Sequence, residues 1–470
     1  MKKPIYKILI VSLLALFGSC TDLQEEPVGI LSPDGFFKVP GDVEAAIFGA
    51  YGRLASESVY GRKLTLTLQL RGDMADIGDR GTPARRQQVN DFNMDAFNGM
   101  ITSFWPNMYQ VIGSANAAVE GARNISADEG VKNALEAEAR FVRAFTYYHL
   151  VRLFGDIPYI DYFIDDPEAV KSMAKTPAAE VYQGIIADFE FGKQHLPDQQ
   201  PNDVRTRPTK GSAAAYLASV QLTLGNYQAA AQEATFVIDN SGRFGYQLEA
   251  DFQDLYRASN ADNLNETIFA LDFLGQQTGS GGANQDFMPP VTGIRGSDNQ
   301  GWSVSVPAIA VFDTWDARDY RRKVSFEDST LIGGELKPYT DYQVVKRPHI
   351  AKIARFPGNS GADGRESDHN YICFRYAEVL LIAAEALNEV NGGPTAESLG
   401  YINQVRERAR NFAGTMTDFP ADVPTGLSQM EFLDTIIEER RLELAFEYKR
   451  WYDIKRRDLG DEVYKGPNAL

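Results

Sequence analysis

Apolar residues recur at spacings of three and four through residues 133–154. Phe141, Ala144, Phe145, Tyr148 and Val151 fall on one side of a 3.6-residue period and predict an amphipathic helix. Gly155-Asp156-Ile157-Pro158 predicts its end, because glycine and proline together stop a helix. Residues 209–239 carry the clearest pattern. Their centre, from Leu222 to Ala234, has the chemistry of a tetratricopeptide-type hairpin: Gly225-Asn226 turn the chain, Tyr227 reaches back across the pair, and Ala230 and Ala234 allow close approach. A second hairpin has its stripe in Tyr376, Val379, Leu380, Ala383, Ala384, Leu387 and Val390. Gly392-Gly393-Pro394 breaks it, and residues 396–409 form the return. One last helix is predicted over 428–456, with Leu433, Ile437, Leu444, Tyr448 and Trp451 on one side. Such hairpins bury their faces only by stacking on neighbours. The fold class is therefore mostly α: a tetratricopeptide-like helical-repeat scaffold, assembled from segments far apart in sequence, with long irregular loop insertions. The insertions lie in 240–370, where helical periodicity is lost and Gly, Asn, Asp and Ser accumulate around 275–284, 293–301 and 358–368. Loops of that length within a compact protein are usually functional.

The amino end has a different pattern. Lys2, Lys3 and Lys7 precede an apolar run over 8–17, then Gly18-Ser19-Cys20. A basic start, a short apolar run and small residues before a cut site read as a secretory leader. The run is too short to span a bilayer, which takes roughly 20 residues. The pattern resembles a bacterial lipobox, with Phe17 standing where most carry Leu, Val or Ile. In a lipobox the cysteine sulfur is acylated and becomes the first mature residue, so Cys20 is the expected lipidation site. Acyl chains contribute about 0.8 kcal/mol per buried CH₂, enough for several chains to hold a soluble body on a membrane. The expected divisions are a signal peptide (1–19), a lipidated tether (20–40), an N-terminal helical region (41–240), a loop-rich ligand-facing region (241–370) and a C-terminal helical region (371–470).

Composition narrows the partners. The chain has 470 residues, 44% hydrophobic and 24% charged, with a net charge of −17; loss of the three leader lysines takes it to −20. That acidity argues against nucleic acid as a partner. Cys20 and Cys373 are the two cysteines, so an acylated Cys20 leaves Cys373 without a disulfide partner. Cys373 lies in the apolar run Tyr371-Ile372-Cys373-Phe374 and reads as a small core residue. Aromatic residues make up 11% of the chain, most of them expected in the core.

Several candidates carry chemistry. Arg71-Gly-Asp73-Met-Ala-Asp76-Ile-Gly-Asp79-Arg80 is the densest charged loop. It reads as a solvated turn or as a set of paired carboxylates and guanidinium groups able to accept from and donate to vicinal diols. Its spacing does not match an EF-hand, and no metal site is assigned. Trp302, in a Gly-rich stretch without apolar period, fits either a ring offered to a sugar face or a plug sealing the loop. Trp315 alternates with apolar residues and is expected in the core. Trp105, beside Pro106 and four residues from Tyr109, is a packing or ligand residue. Phe287, Arg295 and Asn299 are further loop candidates. Arg441 falls on the stripe of its helix and is expected to be buried and paired with Glu378, Glu385 or Glu447, a structural role. His149, His195, His349 and His369 are scattered, and no His-Glu-x-x-His or Gly-x-Ser-x-Gly pattern occurs. No cofactor is assigned, and an enzyme is not the expected reading.

Several segments together resemble the SusD/RagB family of surface nutrient-capture lipoproteins. They are Cys20-Thr-Asp-Leu with Pro27, Glu136-Ala-Glu-Ala-Arg-Phe-Val-Arg-Ala-Phe-Thr-Tyr-Tyr through Leu153-Phe-Gly-Asp-Ile-Pro, and Thr209-Lys-Gly-Ser-Ala with Leu224-Gly-Asn-Tyr. Arg375-Tyr-Ala-Glu-Val-Leu-Leu, Ile402-Asn-Gln-Val-Arg, Ile437-Glu-Glu-Arg-Arg-Leu-Glu-Leu and Arg450-Trp-Tyr-Asp-Ile-Lys-Arg complete the order. The resemblance implies a tetratricopeptide-like scaffold, an outer-membrane location through the lipid anchor, and partnership with a SusC-like TonB-dependent barrel. It implies capture of oligosaccharide, with peptide as the alternative ligand and a surface glycosidase or a purely structural lid as rival readings. It also places the Arg71–Arg80 loop near the glycan site.

Overall fold

In a computed structural model of the chain, the described residues are 33–465 apart from 167, 169, 274–285 and 357–366. Cys20, the tether before residue 33, and most of the 275–284 and 358–368 loops lie outside them.

Eleven of the helices carry the architecture: α1 (Pro40–Leu54), α2 (Lys63–Arg71), α3 (Ile101–Asn124), α4 (Glu129–Phe154), α5 (Ala178–His195), α6 (Lys210–Thr223), α7 (Tyr227–Asp239), α8 (Tyr376–Asn391), α9 (Ala396–Ala409), α10 (Gln429–Glu443) and α11 (Arg450–Arg456). Neighbours in sequence stack as hairpins from α3 to α7. Helix α8 then packs directly on α7, although about 135 residues separate them, and carries α9 and α10. The solenoid is thus continuous in space and interrupted in sequence, as the apolar pattern predicted.

The ends of these helices follow from local chemistry. Thr209 and Ser212 cap α6 reciprocally, as Thr395 and Ser398 cap α9 and Ser428 and Glu431 cap α10. Gly155 ends α4 at φ +74°, and Gly392 ends α8 at φ +66°, left-handed positions where a Cβ would be strained. Ala230 and Ala234 are fully buried between α6 and its neighbours, as their size requires.

Helix α4 differs from its predicted single stripe: every residue from Leu135 to Val151 except Arg140 is buried. Its polar groups are matched across the solenoid. Arg143 donates to both Asp188 oxygens (2.8 and 2.7 Å) and to Asn116 Oδ1 (2.8 Å). The ring of Tyr227 packs against the core, and its hydroxyl accepts from Arg457 (3.0 Å), which ties the α6–α7 hairpin to the C-terminal segment as well.

The predicted 428–456 helix is two helices. It stops at Glu443, turns through Phe446 (φ 62°) and Tyr448 (φ 63°), and restarts at Arg450. The buried face of α10 is Phe432, Ile436, Glu439, Arg440 and Glu443, one position off the predicted stripe. Arg441 is accordingly not the buried arginine: it pairs with Glu438 beside it (2.6 Å), while Arg440 takes Asp453 (3.0 Å) and Glu378 (3.5 Å). Of the other partners named for Arg441, Glu385 pairs with Arg456 and Glu447 with Arg375 and Lys352. The apolar stripe misled because the charged residues of this helix bury deeper than its leucines.

They bury into one network. Arg375 reaches Glu266 (2.8 Å), Glu443 (2.5 Å) and Glu447 (2.8 Å). Arg408 bridges Glu266 (2.7 Å) and Glu443, and Arg321 joins Asp319 (2.9 Å), Glu439 (2.5 Å) and Glu443 (3.1 Å). With Lys352 on Glu447 and Arg406 near Glu439, five cations meet five carboxylates. Strand β2 (Thr267–Leu271) pairs antiparallel with β4 (Tyr371–Arg375), and the network sits at their ends. Strand β1 (Ala75–Ile77) pairs antiparallel with β3 (Ser305–Pro307). Trp315 and Cys373 are buried, as their apolar surroundings predicted, and burial pushes the Cys373 thiol up to about 12.

Burial pushes the Glu447 carboxyl up, yet Arg375 and Lys352 outweigh it and hold it at about 2, while Arg408, Arg375 and Arg321 hold Glu443 lower still. A carboxyl depressed in the folded state contributes stability that is full above its ordinary 4.5 and lost as pH falls through the folded value. Melting temperature should therefore fall steeply between pH 4.5 and about 2. Glu443→Gln, which removes one carboxylate partner from each of three buried guanidinium groups, should cost about 3–5 kcal/mol at pH 7 by denaturant titration and flatten that acid limb.

Candidate functional site

Antiparallel pairing of β1 with β3 brings the densest charged loop of the sequence against the irregular 293–307 segment. Gly78 N–H donates to Val304 O (2.9 Å) and Asp79 N–H to Ser303 O (2.7 Å), extending the ladder into both loops. On the other side, α2 packs against α11. Between these contacts lies a cleft of about 1120 Å³.

Its polar groups come from the charged loop. Asp73, just past the end of α2, accepts two bonds from Arg450 (both 2.7 Å), a bidentate fork across 377 residues of chain. Asp76 in β1 accepts from Arg347 (2.9 Å), Asn90 (3.1 Å) and the N–H of Ile77 (2.7 Å). Arg80 pairs with Asp91 (2.9 Å) and stands 3.8 Å from Asp76. The solvated-turn reading of this loop does not hold for Asp73, which is buried, or Asp76, which lies in a strand.

The apolar wall comes from elsewhere. Phe92, Trp451 and Tyr464 line the cleft beside Ile309 and Ile454. The Phe92 ring sits edge-on to Tyr464 (4.8 Å) and Trp451 (6.3 Å). Phe92 is half-exposed and holds φ at 58°, a left-handed conformation unusual for a bulky residue, so local strain accompanies its presentation. Arg71 stacks its guanidinium on Phe92 (3.7 Å) and Trp451 (4.8 Å), while its carbonyl accepts from the Tyr464 hydroxyl.

Asp73, Asp76 and Arg80 therefore line one cleft, and Arg71 stacks on two of its wall rings, Phe92 and Trp451. Asp79 and Arg295 form an ion pair on the adjoining loop, with Asn299 exposed nearby in sequence. Trp302 and Phe287 lie behind it. Trp302 is half-buried with its ring 6.1 Å from Phe287, which is buried beneath Arg62. Phe287 is thus a packing residue rather than an exposed loop ring. Trp105 stands apart. It packs on Phe154 (4.6 Å) and Tyr109 (5.2 Å) at a separate apolar groove of about 570 Å³ on α3. Sequence reasoning missed Phe92, Trp451, Tyr464 and Arg347. Phe92 carried the same signal as Trp302, an aromatic in the polar run Asp91-Phe92-Asn93-Met94-Asp95; Trp451 was hidden by its place on an apolar stripe. Among the described residues, no group of three or more His, Cys, Asp or Glu side chains converges as a metal site, and no helix is long and apolar enough to cross a membrane.

Comparison with known proteins decides the family. The model of the SusD family matches residues 335–469, and a model described as starch-binding, associating with outer membrane, matches 40–222. SusD-like protein P2 of Formosa agariphila is 53% identical over 480 residues, covering 100% of this chain and 93% of that protein. This chain belongs to the SusD/RagB family. A SusD-like protein of Bacteroides ovatus is 27% identical over 486 residues, 95% of this chain and 82% of that one. Among solved structures, a SusD homologue from Bacteroides thetaiotaomicron superposes with a TM-score of 0.80 at 22% identity, over 91% of this chain and 88% of that chain. A laminarin-binding SusD-like protein gives 0.77 at 24% identity, over 92% and 95%. The tetratricopeptide-like SusD fold is therefore the one the apolar pattern predicted. The cleft draws on both matched regions: Asp73, Asp76, Arg80 and Phe92 from the first, Arg347, Trp451 and Tyr464 from the second.

The loop behind the cleft depends on two glycines in contact. A Cβ on Gly301 would lie 1.9 Å from the carbonyl carbon of Gly293. Gly301→Ala should force the 293–303 segment off β1 and cost about 1–3 kcal/mol, read by thermal melting and by a shift in Trp302 emission.

Proposed function

We propose that this SusD-family chain is a lipid-anchored surface protein that captures oligosaccharide in the Asp73–Arg450 cleft and passes it to a SusC-like TonB-dependent barrel. The observation that carries this reading is the cleft's composition. Flat rings of Phe92, Trp451 and Tyr464 suit the apolar face of a pyranose, and the ion pairs opposite them suit its hydroxyls, since a carboxylate accepts and a guanidinium donates. Two structural neighbours add support, one named for laminarin binding and the other, surface glycan-binding protein A of Bacteroides thetaiotaomicron, solved in complex with laminarihexaose. The second superposes with a TM-score of 0.74 at 19% identity, over 90% of this chain and 91% of that chain.

The role is binding rather than catalysis. Glycoside hydrolysis needs one carboxyl free to give a proton and a second to act on the sugar. Asp73 and Asp76 are each committed to a guanidinium, which makes them rigid hydrogen-bond acceptors. Cys20 supplies the anchor, and the outer-membrane association in the family description agrees with it.

Two experiments test these proposals. Phe92→Ala should weaken glycan binding about 3- to 10-fold in calorimetry with little change in melting temperature, because the ring is half-exposed. Binding of peptide panels with no response to any glycan would replace the sugar reading with peptide import. Cys20→Ala should release the protein from the membrane fraction to the soluble fraction; retention on membranes would contradict lipid anchoring.

A further inference from the structure

Four cations gather at the start of α2. Arg62 is its N-cap and Lys63 its first residue. The short helix Ala84–Asn90, which begins Ala84-Arg85-Arg86, packs on α2. Both helices finish at the cleft, whose lining includes Leu70, Gly72, Asn90 and Asp91. Their beginnings therefore lie together at the opposite end, about 10–13 Å from the cleft at 1.5 Å per residue.

One carboxylate serves all four. Glu57 accepts from Arg62 and stands 3.6 Å from Lys63, with its own side chain 37% exposed. Among the described residues, Arg85 and Arg86 pair with no carboxylate. Arg86 is the decisive one. It is 6% exposed, its guanidinium gives one hydrogen bond to Thr82 (3.0 Å), and its Nε is buried without a partner, as is that of Arg62. The neighbouring acids are turned elsewhere. Asp95, in the loop that Asn98 ties to the Arg85 carbonyl, accepts from the N–H of Phe97 (2.9 Å). Asp286, next to the Phe287 ring that covers Arg62, accepts from Tyr371 (2.9 Å). Burial, with Arg62 and Arg85 beside it, pushes the Arg86 guanidinium down to about 10, and burial and Arg62 lower Lys63. The chain as a whole carries −17, yet here cations outnumber carboxylates four to one. A buried charge persists when an opposite charge meets it.

We infer that Arg62, Lys63, Arg85 and Arg86 form a binding site for a small oxyanion: phosphate, sulfate or carboxylate. Guanidinium groups present paired N–H donors that match two oxygens of such an ion, and the Lys63 ammonium adds a point charge. The positive end of α2, whose first turn holds no acidic residue, adds to the attraction. Half-buried Arg85 and the exposed flank at Glu57 give access from solvent. None of the four cations lines the cleft, so the site stands apart from the glycan-capture reading. It acts on the cleft only through the scaffold, since a bound ion ties together the starts of two helices whose ends form one wall.

The test is calorimetry on the full mature chain with sodium phosphate, sulfate and acetate, each titrated at constant ionic strength made up with sodium chloride. At least one ion should bind with one-to-one stoichiometry and raise the melting temperature where chloride alone does not. Arg85→Gln should weaken that binding about tenfold. Arg86→Met should abolish it and, in chloride, melt no lower than the parent, because the substitution removes a buried charge that has no carboxylate partner. Arg85 is half-buried, so its variant decides the matter if Arg86→Met fails to fold. Glucose 6-phosphate, set against glucose and inorganic phosphate, separates the two sources of such an ion. Binding tighter than inorganic phosphate assigns a group carried on a sugar, and weaker binding assigns the free ion. No heat from any of the three ions overturns the site, as does binding that Arg85→Gln and Arg86→Met leave unchanged.

Discussion

A buried cluster of five cations and five carboxylates is the constraint on which this architecture depends. Its members come from the irregular insert (Glu266, Asp319, Arg321, Lys352), from the strand entering α8 (Arg375), from α9 (Arg406, Arg408) and from α10 and its turn (Glu439, Glu443, Glu447). All but Arg406 and Glu447 are buried, and each charge is fully compensated only when all these segments are in place. The cluster therefore fixes register where apolar packing alone would tolerate slippage. It is how a loop-rich stretch of more than a hundred residues is seated on a helical solenoid.

The cleft inherits its geometry from that seating. Strand β3 meets β1 from an insert that is ion-paired to the α8–α10 segments, and α11 meets α2 after the chain turns sharply past Glu443. Asp73 and Arg450 close the arrangement from the two arms of the molecule. Aromatic wall and polar floor each draw on both matched regions of the SusD family, joined by the Asp73–Arg450 and Asp76–Arg347 ion pairs.

The helical scaffold was legible in the sequence because period, glycine stops and alanine contacts are local signals. The α6–α7 and α8–α9 hairpins follow from them directly. Legibility failed where charge replaced apolarity in the interior: α10 buries Glu439, Arg440 and Glu443, so a stripe drawn through leucines chose the wrong arginine. Arg71, Asp73, Asp76 and Arg80 were found as a dense charged loop, since their density needs no partner to be noticed. Phe92, Trp451, Tyr464 and Arg347 were not, because their contribution exists only after pairing between segments hundreds of residues apart. Phe287 shows the converse: a loop aromatic by sequence, it is covered once Arg62 and Trp302 close over it.

The fork between Asp73 and Arg450 also makes the cleft depend on both ends of the chain. Its halves are 377 residues apart, so forming it closes a loop of most of the chain and carries that loop's entropy cost. A chain that stops short of Arg450 lacks Trp451 and Tyr464 and so lacks much of the cleft wall. The cleft is complete only once the final turns of the polypeptide have docked against α2.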